Sequence, residues 1–79
     1  MEEGPDKSVL EGRYTNVFRV GFNVVEFVLE FGQSFPNGRD RYQVRVITSP
    51  LHVREFLRVL EMSVADFERE FGPIPSVER

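Results

Sequence analysis

The 79-residue sequence contains no cysteine and no tryptophan, a single histidine (His52) and a single lysine (Lys7). Without cysteine there is neither a disulfide framework nor a thiolate zinc site. One imidazole cannot build a histidine-rich metal centre, so no metal and no cofactor are expected. No apolar run approaches the 18 residues of a membrane-spanning helix, and no basic segment followed by an apolar stretch marks a secretory signal. The expected location is the cytoplasm, with no membrane partner. An excess of basic residues is also missing: ten Lys and Arg stand against thirteen Asp and Glu, for a net charge of −3. Nucleic-acid affinity comes mostly from surplus cations on phosphates, so a general polyanion binder is not expected.

What is present is enough apolar material for one small domain: 41% hydrophobic residues, including eight Phe. Residues 1–12 are charged and turn-rich and read as a flexible leader; 13–74 form a single α+β domain; 75–79 form a tail. Two-residue alternation begins at Tyr14, with Tyr14, Asn16, Phe18, Val20 and Phe22 on one face. It resumes with Val25, Phe27, Leu29 and Phe31 against Val24, Glu26, Val28 and Glu30. A third run sets Tyr42, Val44 and Val46 against Arg41, Gln43, Arg45 and Ile47. Phe22-Asn23 are expected at the first turn, which places Arg19 opposite Glu26, and Glu26 beside Arg45. Gly32 to Asp40 is loop by composition.

Ser49-Pro50 is a helix start, because Ser caps free N–H groups and Pro at the first helical position forfeits no hydrogen bond. Val53, Phe56, Leu57, Leu60, Val64, Phe67 and Phe71 make one apolar stripe, and Gly72-Pro73 ends the helix. The expected fold is therefore a three-stranded antiparallel meander followed by one long C-terminal helix packed on one sheet face. A helix of about 22 residues is roughly 33 Å long. It outreaches strands of about 26 Å, leaving Phe67 and Phe71 at the overhang.

No motif carries catalytic chemistry. Glu26 and Glu30 share a strand face about 13 Å apart, too far for a carboxylate pair acting on one bond. His52 has no nucleophile beside it and reads as a surface or capping residue. Gly32–Gly38 has neither phosphate-binding spacing nor a helix start after it. The candidate interface residues are Val17, Val24, Val28 and Ile47 on the charged sheet side, Phe35 in the loop, Leu51 and Met62 opposite the helix stripe, and Phe71. Under the alternative reading, Arg19, Arg39, Arg41 and Arg45 contact nucleic acid.

Four segments carry a family resemblance. They are Tyr14-Thr15-Asn16, Glu26-Phe27-Val28-Leu29-Glu30-Phe31-Gly32, Arg45-Val46-Ile47-Thr48-Ser49-Pro50-Leu51-His52 and Phe67-Glu68-Arg69-Glu70-Phe71-Gly72-Pro73-Ile74. Together they resemble the short prokaryotic proteins catalogued as domain of unknown function 3467. Members have Tyr-Glu where this chain has Phe67-Glu68. The resemblance covers about Arg13 to Ile74 and implies a prokaryotic, cytoplasmic setting; it brings no activity, cofactor or catalytic residue. A sheet followed by a long helix also looks like the architecture of export chaperones of the SecB type. Such a short chain without cross-links has a thin core, so a homodimer or higher homo-oligomer is expected. The expected function is that of a non-enzymatic interaction module, chaperone- or adaptor-like in binding protein or peptide. The alternative is a nucleic-acid-binding accessory protein.

Overall fold

The computed structural model of the protein describes residues 10–76; the first nine residues of the expected leader, and 77–79 of the expected tail, lie outside the described residues. Four elements succeed one another: β1 (Val17–Phe22), β2 (Phe27–Ser34), β3 (Asp40–Thr48) and α1 (Pro50–Phe71). The strands form one antiparallel sheet in the order β1-β2-β3, as the alternating runs predict. Two compact units divide the described chain. One comprises Val28–Val46 together with the chain up to Gly21; the other comprises Phe22–Phe27 and the chain from Ile47 onward.

The first turn lies two residues further along than expected. Asn23 N–H donates to Glu26 O at 2.9 Å, leaving Val24-Val25 at the tip. The Asn23 amide oxygen accepts from the N–H groups of Val25 (2.8 Å) and Glu26 (2.9 Å). This is an Asx turn, in which the Asn23 side chain imitates a backbone acceptor. Among the described residues only Gly38 and Gly72 have positive φ. The strand pairing moves with the turn. Phe22 stacks against Phe27 (centroids 5.4 Å) and Phe18 meets Phe31 edge-on (5.9 Å), and Arg19 reaches Glu30 rather than Glu26. The slip is even, so the side chains of β1 and β2 keep their predicted faces.

The second connection is shorter than composition suggests, because Gly32, Gln33 and Ser34 belong to β2. The loop proper is Phe35–Arg39. Gly38 N–H donates to Phe35 O (2.9 Å), Phe35 N–H donates to Arg39 O (3.0 Å), and Asn37 Oδ1 accepts from Arg39 N–H (3.1 Å). Pro36 presets the turn, and Gly38 takes the left-handed position at φ 87° that closes a three-residue hairpin loop.

α1 starts and stops where its sequence signals stand. Ser49 Oγ accepts from His52 N–H (3.1 Å), Pro50 opens the first turn, and Gly72 N–H donates to Glu68 O at 2.9 Å. No residue of α1 is buried, although its stripe is the face expected to be covered. Among the described residues no hydrophobic side chain is fully buried. Phe27, Val28, Leu29 and Phe31 of the central strand are half-buried, as are Val17, Tyr42, Val44 and Val53.

Candidate interaction surfaces

One face of the sheet is organised by Glu30. As the central-strand carboxylate it lies between two arginines from the edge strands. Its Oε1 accepts from Arg19 Nε at 2.5 Å and its Oε2 from Arg45 Nε at 2.6 Å. Its side chain is 12% exposed. The Arg19 hydrogen bond, then that of Arg45, holds the Glu30 carboxyl below its ordinary value of 4.5 against the opposing pull of desolvation. Glu30 in turn raises the Arg19 guanidinium. Glu30, and not Glu26, therefore bridges Arg19 and Arg45. Glu26, expected between Arg19 and Arg45, sits instead at the hairpin turn.

Tyr42 departs from its expected place on the apolar face. The Arg19 guanidinium lies 3.9 Å from the centroid of its ring, a cation–π contact on the side occupied by Glu30 and Arg45. Unbroken alternation would put residues 42 and 45 on opposite faces, so the alternation of β3 is interrupted between them. Both Tyr42 and Gln43 suit a half-covered face, and nothing in the sequence marks the break. Gly32 lies where β2 closely approaches the Arg41–Tyr42 backbone of β3. Its carbonyl accepts from Thr15 Oγ1 (2.7 Å) and Asn16 N–H (3.0 Å), while Asn16 Oδ1 accepts from Ser34 N–H (2.8 Å). These contacts pin the segment before β1 to the end of β2. An open cleft of about 460 Å³, lined in part by Tyr14, Phe31 and Val44, lies beside it.

The four arginines of the alternative reading do not make one patch. Arg19 and Arg45 meet at Glu30, whereas Arg39 and Arg41 line a separate concavity with Phe35, Asn37 and Asp40 at the hairpin end. The candidate interface residues divide in the same way. Val17, Val28 and Ile47 share strand faces with Arg19, Glu30 and Arg45 by alternation, while Val24 stands apart at the tip of the first hairpin, 92% exposed. Phe35 is open in its loop, and Leu51, Met62 and Phe71 are open on α1. Arg58 lies along α1 between Glu55, whose carboxyl it lowers by hydrogen bonding, and the sulfur of Met62 at 3.4 Å. His52 Nδ1 lies 3.0 Å from Ser49 Oγ, within the cap of the helix.

Larger than any of these is the stripe of α1. Leu57, Leu60, Val64, Phe67 and Phe71 are 40–68% exposed along it, and the Phe67 and Phe71 rings lie 5.0 Å apart. Among the described residues no helix is long and apolar enough to cross a membrane, and no three His, Asp or Glu side chains converge as metal ligands would.

A three-stranded antiparallel sheet joined to one long amphipathic helix, with apolar surface open on both, defines a small α+β protein. The sequence profile of the family described as "Protein of unknown function (DUF3467)" matches residues 1–76, and the chain belongs to that family. No curated protein and no solved structure matches it.

Proposed function

We propose that this protein is a non-enzymatic, homo-oligomeric interaction module of the prokaryotic cytoplasm, whose apolar faces are covered by further copies of itself. One observation carries this reading: among the described residues no hydrophobic side chain is fully buried, and twenty large ones are exposed. Burial of apolar surface is the dominant favourable term in folding and association, so faces left open in one chain are the ones a neighbour covers. Chaperone- or adaptor-like binding arises where the same faces receive a protein or peptide in place of a copy. The rival reading, nucleic-acid contact through the arginines, has less support, because Arg19 and Arg45 are already engaged by Glu30.

Molar mass measured by light scattering tests the proposal. A dimer or larger assembly is expected at about 10 μM, dissociating and unfolding together on dilution. A cooperative, fully folded monomer at that concentration overturns it.

A further inference from the structure

α1 carries a finer repeat within its stripe. Val53, Leu57, Leu60, Val64, Phe67 and Phe71 succeed one another at intervals of four, three, four, three and four residues. A repeat of 3.5 residues makes a narrow seam for a second helix, with Val53, Leu60 and Phe67 at d positions and Leu57, Val64 and Phe71 at a positions. None of the six is buried in the single chain.

The flanks decide what kind of second helix fits. On one side of the seam stand Arg54, Glu61 and Glu68; on the other stand Phe56, Ser63 and Glu70. Were two copies parallel, residues of one flank would meet those of the other, pairing Phe56 with Glu61 and Ser63 with Glu68. That arrangement makes no ion pair. In an antiparallel pair each flank meets its own counterpart, and Arg54 falls opposite Glu68 of the second copy, twice by symmetry. The seam layers are then Val53 with Phe71, Leu57 with Phe67 and Leu60 with Val64, so a smaller side chain faces an aromatic in the outer layers. The unfavourable contacts are Glu61, which meets itself at the two-fold axis, and Phe56, which falls opposite Glu70 of the second copy.

Charge along the helix agrees with this direction. Pro50–Leu60 holds two Arg and one Glu, net +1; Glu61–Phe71 holds one Arg and four acids, net −3. Antiparallel pairing also sets the positive end of each helix dipole beside the negative end of the other. The groups required are available. Arg58 is held by Glu55 and Arg69 by Asp66, whereas Arg54 has no ion-pair partner among the described residues. Glu68 uses Oε2 to accept from Ile74 N–H at 2.9 Å, which leaves its other oxygen.

We infer that α1 pairs antiparallel with α1 of a second copy along the Val53–Phe71 seam, with Arg54 of each copy on Glu68 of the other. This rests on the homo-oligomeric reading above. Sedimentation equilibrium of Arg54→Glu, Glu68→Arg and the double exchange tests it on the full chain. Each single exchange replaces two attractions with two repulsions and is expected to raise the dissociation constant roughly tenfold or more, and the double exchange to restore it. Direction is read separately by introducing the only cysteine. Ser63 faces its counterpart across the axis, so Ser63→Cys is expected to oxidise to a linked dimer. The two Glu70 positions are offset by about 21 Å along the axis, at about 1.5 Å per residue, so Glu70→Cys is expected to stay reduced. Equal cross-linking at both positions, or association unmoved by both charge exchanges, overturns the antiparallel seam while homo-oligomerisation stands. A wild-type chain that stays monomeric throughout overturns both.

Discussion

Gly32 and Arg41 approach so closely that a Cβ on Gly32 would lie 2.1 Å from the Arg41 carbonyl oxygen and 2.8 Å from Tyr42 Cα. Both obstacles are backbone, so no rotamer change relieves them. Gly32→Ala is therefore expected to force β2 and β3 apart and to destabilise the fold by about 1–3 kcal/mol, the usual range for overpacking. Urea denaturation checks it. A midpoint equal to that of the wild type would show that the strands yield without cost.

Glu30 gives the sheet an acid sensitivity of definite sign. Its folded pKa is depressed by Arg19 first and Arg45 second, so the unfolded chain binds its proton more readily. Stability from this carboxylate is fully present above its ordinary value of 4.5 and is lost as pH falls through the lower folded value. Glu30→Gln should lower stability at neutral pH and flatten the decline in melting temperature below about pH 4.5. Parallel melting profiles for the two proteins across that window would contradict it.

At the first turn, Asn23→Ala removes the acceptor for two backbone N–H groups. The loss expected is about 1 kcal/mol, similar to that of a helix cap. Asn23→Asp keeps the acceptor and should stay close to wild type. Thermal melting of the pair distinguishes the Asx turn from a turn held by its strands alone.

The arginine face yields an expected negative. With Arg19 and Arg45 spent on Glu30, binding to single- or double-stranded DNA or RNA should be weaker than about 10 μM near physiological salt. A tight mobility shift that falls steeply with added salt, and that Arg45→Glu abolishes, would restore the nucleic-acid reading.

Much of the fold was legible where one residue type has one physical use. Ser49-Pro50 and Gly72-Pro73 bound α1, and Pro36-Asn37-Gly38 closes the second hairpin, because caps and left-handed positions admit few alternatives. The register of β1 against β2 was not legible. Alternation repeats every two residues, so pairing Arg19 with Glu26 or with Glu30 satisfies the same faces, and only the turn decides between them. That decision lay in the Asn23 side chain, whose reach to Glu26 N–H was the available signal. Tyr42 was misplaced because a break in alternation leaves no compositional trace. Nor could the stripe of α1 report its own coverage. A pattern shows which face is apolar, and burial depends on what lies against it.

The two turns also differ in how soon they can form. Pro36-Asn37-Gly38 holds its geometry locally, needing little from the rest of the chain. Val24-Val25, by contrast, are β-branched residues poorly suited to a tip, restrained mainly by Asn23. Hairpins with prepared turns close within about 1–10 μs and offer an edge to the next strand. β2 and β3 are therefore expected to zip first, with β1 added afterwards onto an edge already in place. In φ-value terms, substitutions around Phe35–Arg39 should slow folding, while those near Val24 should chiefly speed unfolding. The order of events in time would then run against the order of the chain.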